Sequence, residues 1–167
     1  MHIIHCTQKL LKELAVPLVN PAVYPESTEG LGNWYANLFR IERRKCVLFT
    51  NEKTFYSFVV LKVLKKDLNN IKEVFLNHLV SNFRFEEFPP EMVNREEYRD
   101  IGFAKTASRS ILGSMNELRF QFEYDIYREG GIDNINQLEA NHQLNRNIMG
   151  ALKYGCPVDA MRDFLQK

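Results

Sequence analysis

Among the 167 residues, the group whose types and spacing best suit a binding chemistry is Ser108-Arg109-Ser110, followed by Asn116 and Arg119. Two hydroxyls and a guanidinium at the start of a helix suit an anion. The first N–H groups of a helix have no partner within it and carry partial positive charge. The same residues serve equally well as an ordinary serine cap beside a solvated arginine. Arg119 falls on an otherwise apolar stripe, so it must snorkel, pair or bind something. Glu123, four residues on, is the partner at hand. Arg43, Arg44 and Lys45 form a second cationic group, with Arg40 beside it and Lys62, Lys65 and Lys66 after the following strand. Together these can clamp a phosphate backbone, and Trp34, Tyr35, Phe55 and Tyr56 supply rings for stacking on bases. The competing reading is a charged turn with the rings in a core. Strand alternation sends Arg43 and Arg44 to opposite faces unless both lie in the turn.

Groups suited to acid–base, covalent or metal chemistry are sparse. His2 and His5 point to opposite faces of one strand. With Cys6 they make at most three ligands where zinc takes about four. No metal and no cofactor is expected. Cys6, near Lys9, is a nucleophile in one reading and a small buried hydrophobe in the other. His78 lies on an apolar helical stripe and reads as a core histidine; His142 reads as a surface residue. Glu117, Glu123 and Asp125 do not share one face. The chain has no glycine-rich phosphate loop, GxSxG or HExxH, so no catalytic residue is assigned.

These residues need elements to position them. Residues 2–6 read as a strand, and Thr7 as the cap of a helix to about Val16. Residues 17–33, rich in proline and glycine, form a long loop. From Trp34 apolar and aromatic runs separated by polar tips give a three-stranded meander, with tips at 42–45 and 51–54. Asp67 caps a helix to about Phe83. A shorter helix is expected over 90–98, a core strand over 101–106, a helix over 135–152 with Leu138, Leu144, Ile148 and Leu152 inward, and a last helix from Pro157. The fold class is α+β: a small, mainly antiparallel sheet covered by about five helices.

The longest helix, 108–128, is the expected centre. Met115, Ile111, Leu112, Leu118, Phe122 and Ile126 make one apolar stripe, and Gly113, Phe120 and Tyr124, with Tyr127 beside them, a second, about 140–180° away. A helix apolar on two sides is expected to be buried on two sides. Gly113 would then mark a close crossing, since glycine inside a helix costs about 1 kcal/mol against alanine.

Length bounds the chain to a single globular domain, 1–167. The net charge is +1, which does not by itself argue for nucleic acid. Residues 40–72 nevertheless carry 9 Lys and Arg against 3 Asp and Glu. Three widely spaced cysteines do not make a disulfide framework, and a reducing cytoplasm is the expected location. No segment reads as a signal peptide or a membrane span.

The stretches CTQKLLKEL (6–14), WYANLFRIERRKCVLFTNEKT (34–54), FAKTASRSILGSMNEL (103–118) and LNRNIMGALKY (144–154) resemble an uncharacterised bacterial domain-of-unknown-function family along most of the chain. The longer proline-rich loop before Trp34 departs from its pattern. The resemblance implies a small cytoplasmic bacterial protein and no assigned chemistry. It draws attention to Thr7, Lys9, Asn37, Arg44, Asn51, Arg109, Ser114, Asn116, Asn145 and Arg146, a set of amides and cations suited to recognition more than to proton transfer. The expected function is a non-enzymatic binding or regulatory module of a bacterial cell or mobile element, holding a protein or nucleic-acid partner and no membrane. Its anion- or partner-binding residues would be Arg43, Arg44, Lys45, Ser108, Arg109, Ser110, Asn116 and Arg119. The alternatives are a small enzyme on a phosphate-bearing substrate, of metal-independent ribonuclease or nucleotide-processing type, and a purely structural protein.

Overall fold

The computed structural model describes residues 1–24, 30–93 and 97–167. Parts of the 17–33 loop and of the helix expected over 90–98 therefore lie outside the described residues. The fold is α+β. The strands are β1 (His2–Cys6), β2 (Trp34–Ile41), β3 (Arg44–Asn51), β4 (Ser57–Val60) and β5 (Ile101–Lys105). The helices are α1 (Gln8–Leu11), α2 (Lys65–Asn69), α3 (Ile71–Phe85), α4 (Arg109–Arg128), α5 (Gln137–Leu144) and α6 (Pro157–Leu165).

The strands form one sheet in the order β4-β3-β2-β1-β5. The meander supplies antiparallel pairs, whereas β1 runs parallel to both β2 and β5. The sheet is thus mixed, a refinement of the mainly antiparallel expectation. Alternation along β2 divides the interior in two. Trp34, Ala36 and Leu38 face a core shared with Leu10, Ile71, Phe75, Leu79, Phe83 and Met161. Tyr35, Phe39 and Ile41 face a second core shared with Met115, Leu118, Phe122, Ile126 and Leu144. In the first, Trp34, Phe49, Phe58 and Phe75 meet at ring distances of 5.1–5.9 Å. Truncating Phe75 there costs about 4 kcal/mol.

Several boundaries differ from the sequence reading. The helix expected from Asp67 is broken at Asn70 (φ −124°, ψ 37°), and the Asp67 carboxylate accepts the Leu64 N–H instead. The β2–β3 turn is only Glu42-Arg43, both at positive φ (49° and 67°), the geometry that suits a two-residue hairpin loop. The helix expected over 135–152 stops at Leu144; the chain turns, and Ile148 is 72% exposed.

Both outer strands are covered. Leu18 bridges Phe103 on β5, and the Val19 N–H donates to the Phe103 carbonyl. On β4, α5 replaces a neighbouring strand. Asn145 Oδ1 accepts from Ser57 N (2.8 Å) and its Nδ2 donates to Ser57 O (2.7 Å). Asn141 does the same for Val59 (2.7 and 3.1 Å), and Gln137 Oε1 accepts from Leu61 N (2.8 Å). Four helical residues rise about 6 Å and two strand residues about 6.6 Å. Amides four apart on the helix therefore stay in register with alternate residues of the strand.

Candidate functional site

The outer face of α4 carries three of the expected recognition residues, Arg109, Ser110 and Asn116. Its buried side behaves as expected: Ser114, Met115, Leu118, Phe122 and Ile126 are covered. The second stripe is not. Phe120 is 60% exposed, Tyr124 55% and Tyr127 81%. Gly113 has no atom within 4 Å of where a Cβ would stand. The expectation of a central, two-sided helix is corrected here. One side lies on the sheet and the other faces solvent, because α5 and the segment after it fill the space beside α4 without reaching over it. Among the described residues nothing crosses at Gly113, so its cost of about 1 kcal/mol brings no packing there.

Arg109, Ser110 and Asn116 lie on this open face and are exposed. Ser108 is the helix cap, its Oγ accepting the Ile111 N–H at 3.2 Å. Burial pushes the pKa of the nearby Tyr35 hydroxyl up, against the opposing pull of the Ser108 and Ala107 backbone. Of the first three helical N–H groups, that of Ile111 is taken by the cap. Arg119 sits at the margin of the buried side. Its Nη1 meets Glu123 Oε1 at 3.3 Å, and its guanidinium lies 4.6 Å from the Phe120 ring centre.

The hairpin cations do not join this face at its start. Arg44 forks onto Asp133, and Lys62 meets the same carboxylate at 2.7 Å. The two cations hold Asp133 down to about 2. Lys45 pairs with Glu13 at 2.9 Å. Arg43 projects from the turn with no ion pair among the described residues. The hairpin tip lies at the far end of α4, where the Glu42 carboxylate accepts the Ile132 N–H at 2.6 Å. Twenty residues of helix span about 30 Å, so Arg44 and Arg109 do not converge.

The groups named for covalent chemistry are also accounted for. Cys6 is buried, and desolvation pushes its thiol up to about 12, which leaves no thiolate at neutral pH. His5 stacks on Tyr35 at 4.7 Å, with Nδ1 3.0 Å from the Lys105 carbonyl oxygen. The Thr7 hydroxyl donates to Asn37 Oδ1 at 2.9 Å.

One cluster escaped the sequence reading. Glu86, whose side chain is 2% exposed, receives Arg146 through both oxygens (3.1 and 2.9 Å) and His142 Nδ1 at 3.0 Å. His142 and Arg146 line a groove of about 820 Å³ between α4 and α5, together with Gln121, Asp125, Arg128 and Gln143. The available signal was the spacing of His142 and Arg146, four apart and so able to grip one carboxylate. The amides at 137, 141 and 145 carried a similar signal.

The chain belongs to a family described as a domain of unknown function (DUF6933), whose model matches residues 3–160. No curated protein and no solved structure matches it.

Proposed function

We propose that this protein is a non-enzymatic binding module that holds a protein partner on the outer face of α4. The supporting observation is the run of Phe120, Tyr124 and Tyr127, open to solvent on one side of one helix with Arg109, Ser110, Gly113 and Asn116 along the same side. Contiguous exposed aromatics mark interaction sites, and aromatic and arginine side chains dominate the energies of such interfaces. Arg128 adds a guanidinium 5.7 Å from the Tyr124 ring centre. A protein fits better than a nucleic acid, because Arg44, Lys45 and Lys62 are already engaged by two carboxylates of the chain, Asp133 and Glu13. Three free cysteines suit a reducing bacterial cytoplasm. Among the described residues no helix is long and apolar enough to cross a membrane. A photo-crosslinking residue in place of Tyr124, used in cells, is expected to form adducts with protein, while the same residue in place of Lys66 on α2 is not. Absence of any protein adduct at position 124 overturns the reading.

The Glu86–His142 pair favours a second reading, a small enzyme on a phosphate-bearing substrate. With Nδ1 donating to Glu86, the His142 Nε2 is left as an acceptor on the groove side, the arrangement of a general base. Asp125, Glu129 and Glu139 also line that groove and oppose an anionic ligand, which ranks this reading second. Turnover of nucleotides or phosphate esters that His142→Ala abolishes would carry it. No turnover across such a panel ends it.

A further inference from the structure

The outer face of α4 has a chemistry that complements itself about Gly113. Four residues before the glycine stands Arg109, and four after it Glu117. Three before it stands Ser110, and three after it Asn116. All five are exposed, and none of the four side chains makes a hydrogen bond or ion pair among the described residues. Positions at equal distance before and after a helical residue lie at equal heights above and below it, and are rotated by equal and opposite angles. A second α4 laid antiparallel across the first, with a two-fold axis through Gly113, therefore sets Arg109 of each copy opposite Glu117 of the other. The same operation sets Ser110 opposite Asn116.

We infer that α4 is the interface of a two-fold homodimer in which the two helices cross at Gly113 and exchange Arg109–Glu117 pairs. This rests on the reading of the outer face of α4 as a protein-binding surface. The self-complementarity identifies the occupant: an isologous interface requires each patch to match itself, whereas a foreign partner imposes no such symmetry. With no Cβ and nothing within 4 Å of its place, Gly113 lets the second backbone approach closely.

Sedimentation of the full chain across a concentration series tests this. The wild type is expected to dimerise. Arg109→Glu and Glu117→Arg, each setting like charges opposite one another twice, are each expected to weaken the dimer about tenfold or more. The double variant Arg109→Glu/Glu117→Arg is expected to restore it. Gly113→Leu is expected to give a monomer with an undiminished melting temperature, which separates loss of the interface from loss of the fold. A wild type that stays monomeric overturns the inference. So does a dimer indifferent to the single reversals, or a double variant that does not recover. A monomeric wild type that still crosslinks to a different protein through position 124 overturns the homodimer alone. A monomer with no adduct at all ends the binding-module reading as well.

Discussion

α5 and α4 lie side by side against the same core and dispose of their side chains in opposite ways. α5 turns amides inward: Asn141 and Asn145 are fully buried and bond the backbone of β4. α4 turns aromatics outward: Phe120, Tyr124 and Tyr127 face solvent. Each disposition has a cause in backbone chemistry. An edge strand has donors and acceptors that must be matched if it is covered, and only a polar side chain can match them. The outer side of a helix has no such demand, because its amides are bonded along the axis. Buried polar groups here complete the fold, and the exposed rings take no part in its core.

The comparison can be broken first at α5. Asn141→Leu removes both bonds to Val59 and leaves a buried N–H and C=O without partners, at about 1–3 kcal/mol each. A loss of about 3 kcal/mol is expected in urea unfolding. A loss below about 1 kcal/mol would mean that the amide ladder does not hold α5 in place. On α4 the sign reverses. In dilute, monomeric protein Gly113→Ala is expected to raise stability by about 1 kcal/mol, since the added methyl meets nothing among the described residues and the helix gains propensity. A decrease would reveal a contact on that face.

A smaller effect lies at the hairpin. Asp133 is held to about 2 by Arg44 and Lys62, against 3.8 without them. Its folded-state pKa is depressed, so its contribution is present above about pH 4 and is lost as pH falls toward 2. The melting temperature of the wild type should exceed that of Asp133→Asn above that window, and the two should converge below it. The smallest stability change is expected for the pair Phe120→Ser and Tyr124→Ser, within about 0.5 kcal/mol. Dimerisation should nevertheless fall in that variant. A large destabilisation would show that the rings belong to the fold after all.

What the sequence disclosed follows from what is local. The apolar and aromatic runs from Trp34 onward disclosed the three meander strands, and the buried stripe of α4 was readable from its spacing. Periodicity records that Phe120 and Tyr124 are apolar; it does not record what covers them, so the open side of α4 was misassigned. The parallel placement of β1 between β2 and β5 depends on pairings across the whole chain and has no local signature. The pairing of Arg44 with a carboxylate 89 residues away was equally hidden. Arg109, Ser110 and Asn116 were named for anion or partner binding; that they share one exposed face with Phe120 and Tyr124 was not read.

The β2–β3 tip has a further consequence. Glu42 and Arg43 hold left-handed backbone angles that asparagine and glycine adopt with less strain. Glu42 is nevertheless the residue that reaches Ile132 N and the backbone at Gly131, where α4 ends. The tip is locally frustrated so that a distant junction can close. A hairpin given Asn-Gly would form more readily by itself yet let go of that junction, so the native tip gives up local turn propensity for a contact 90 residues away.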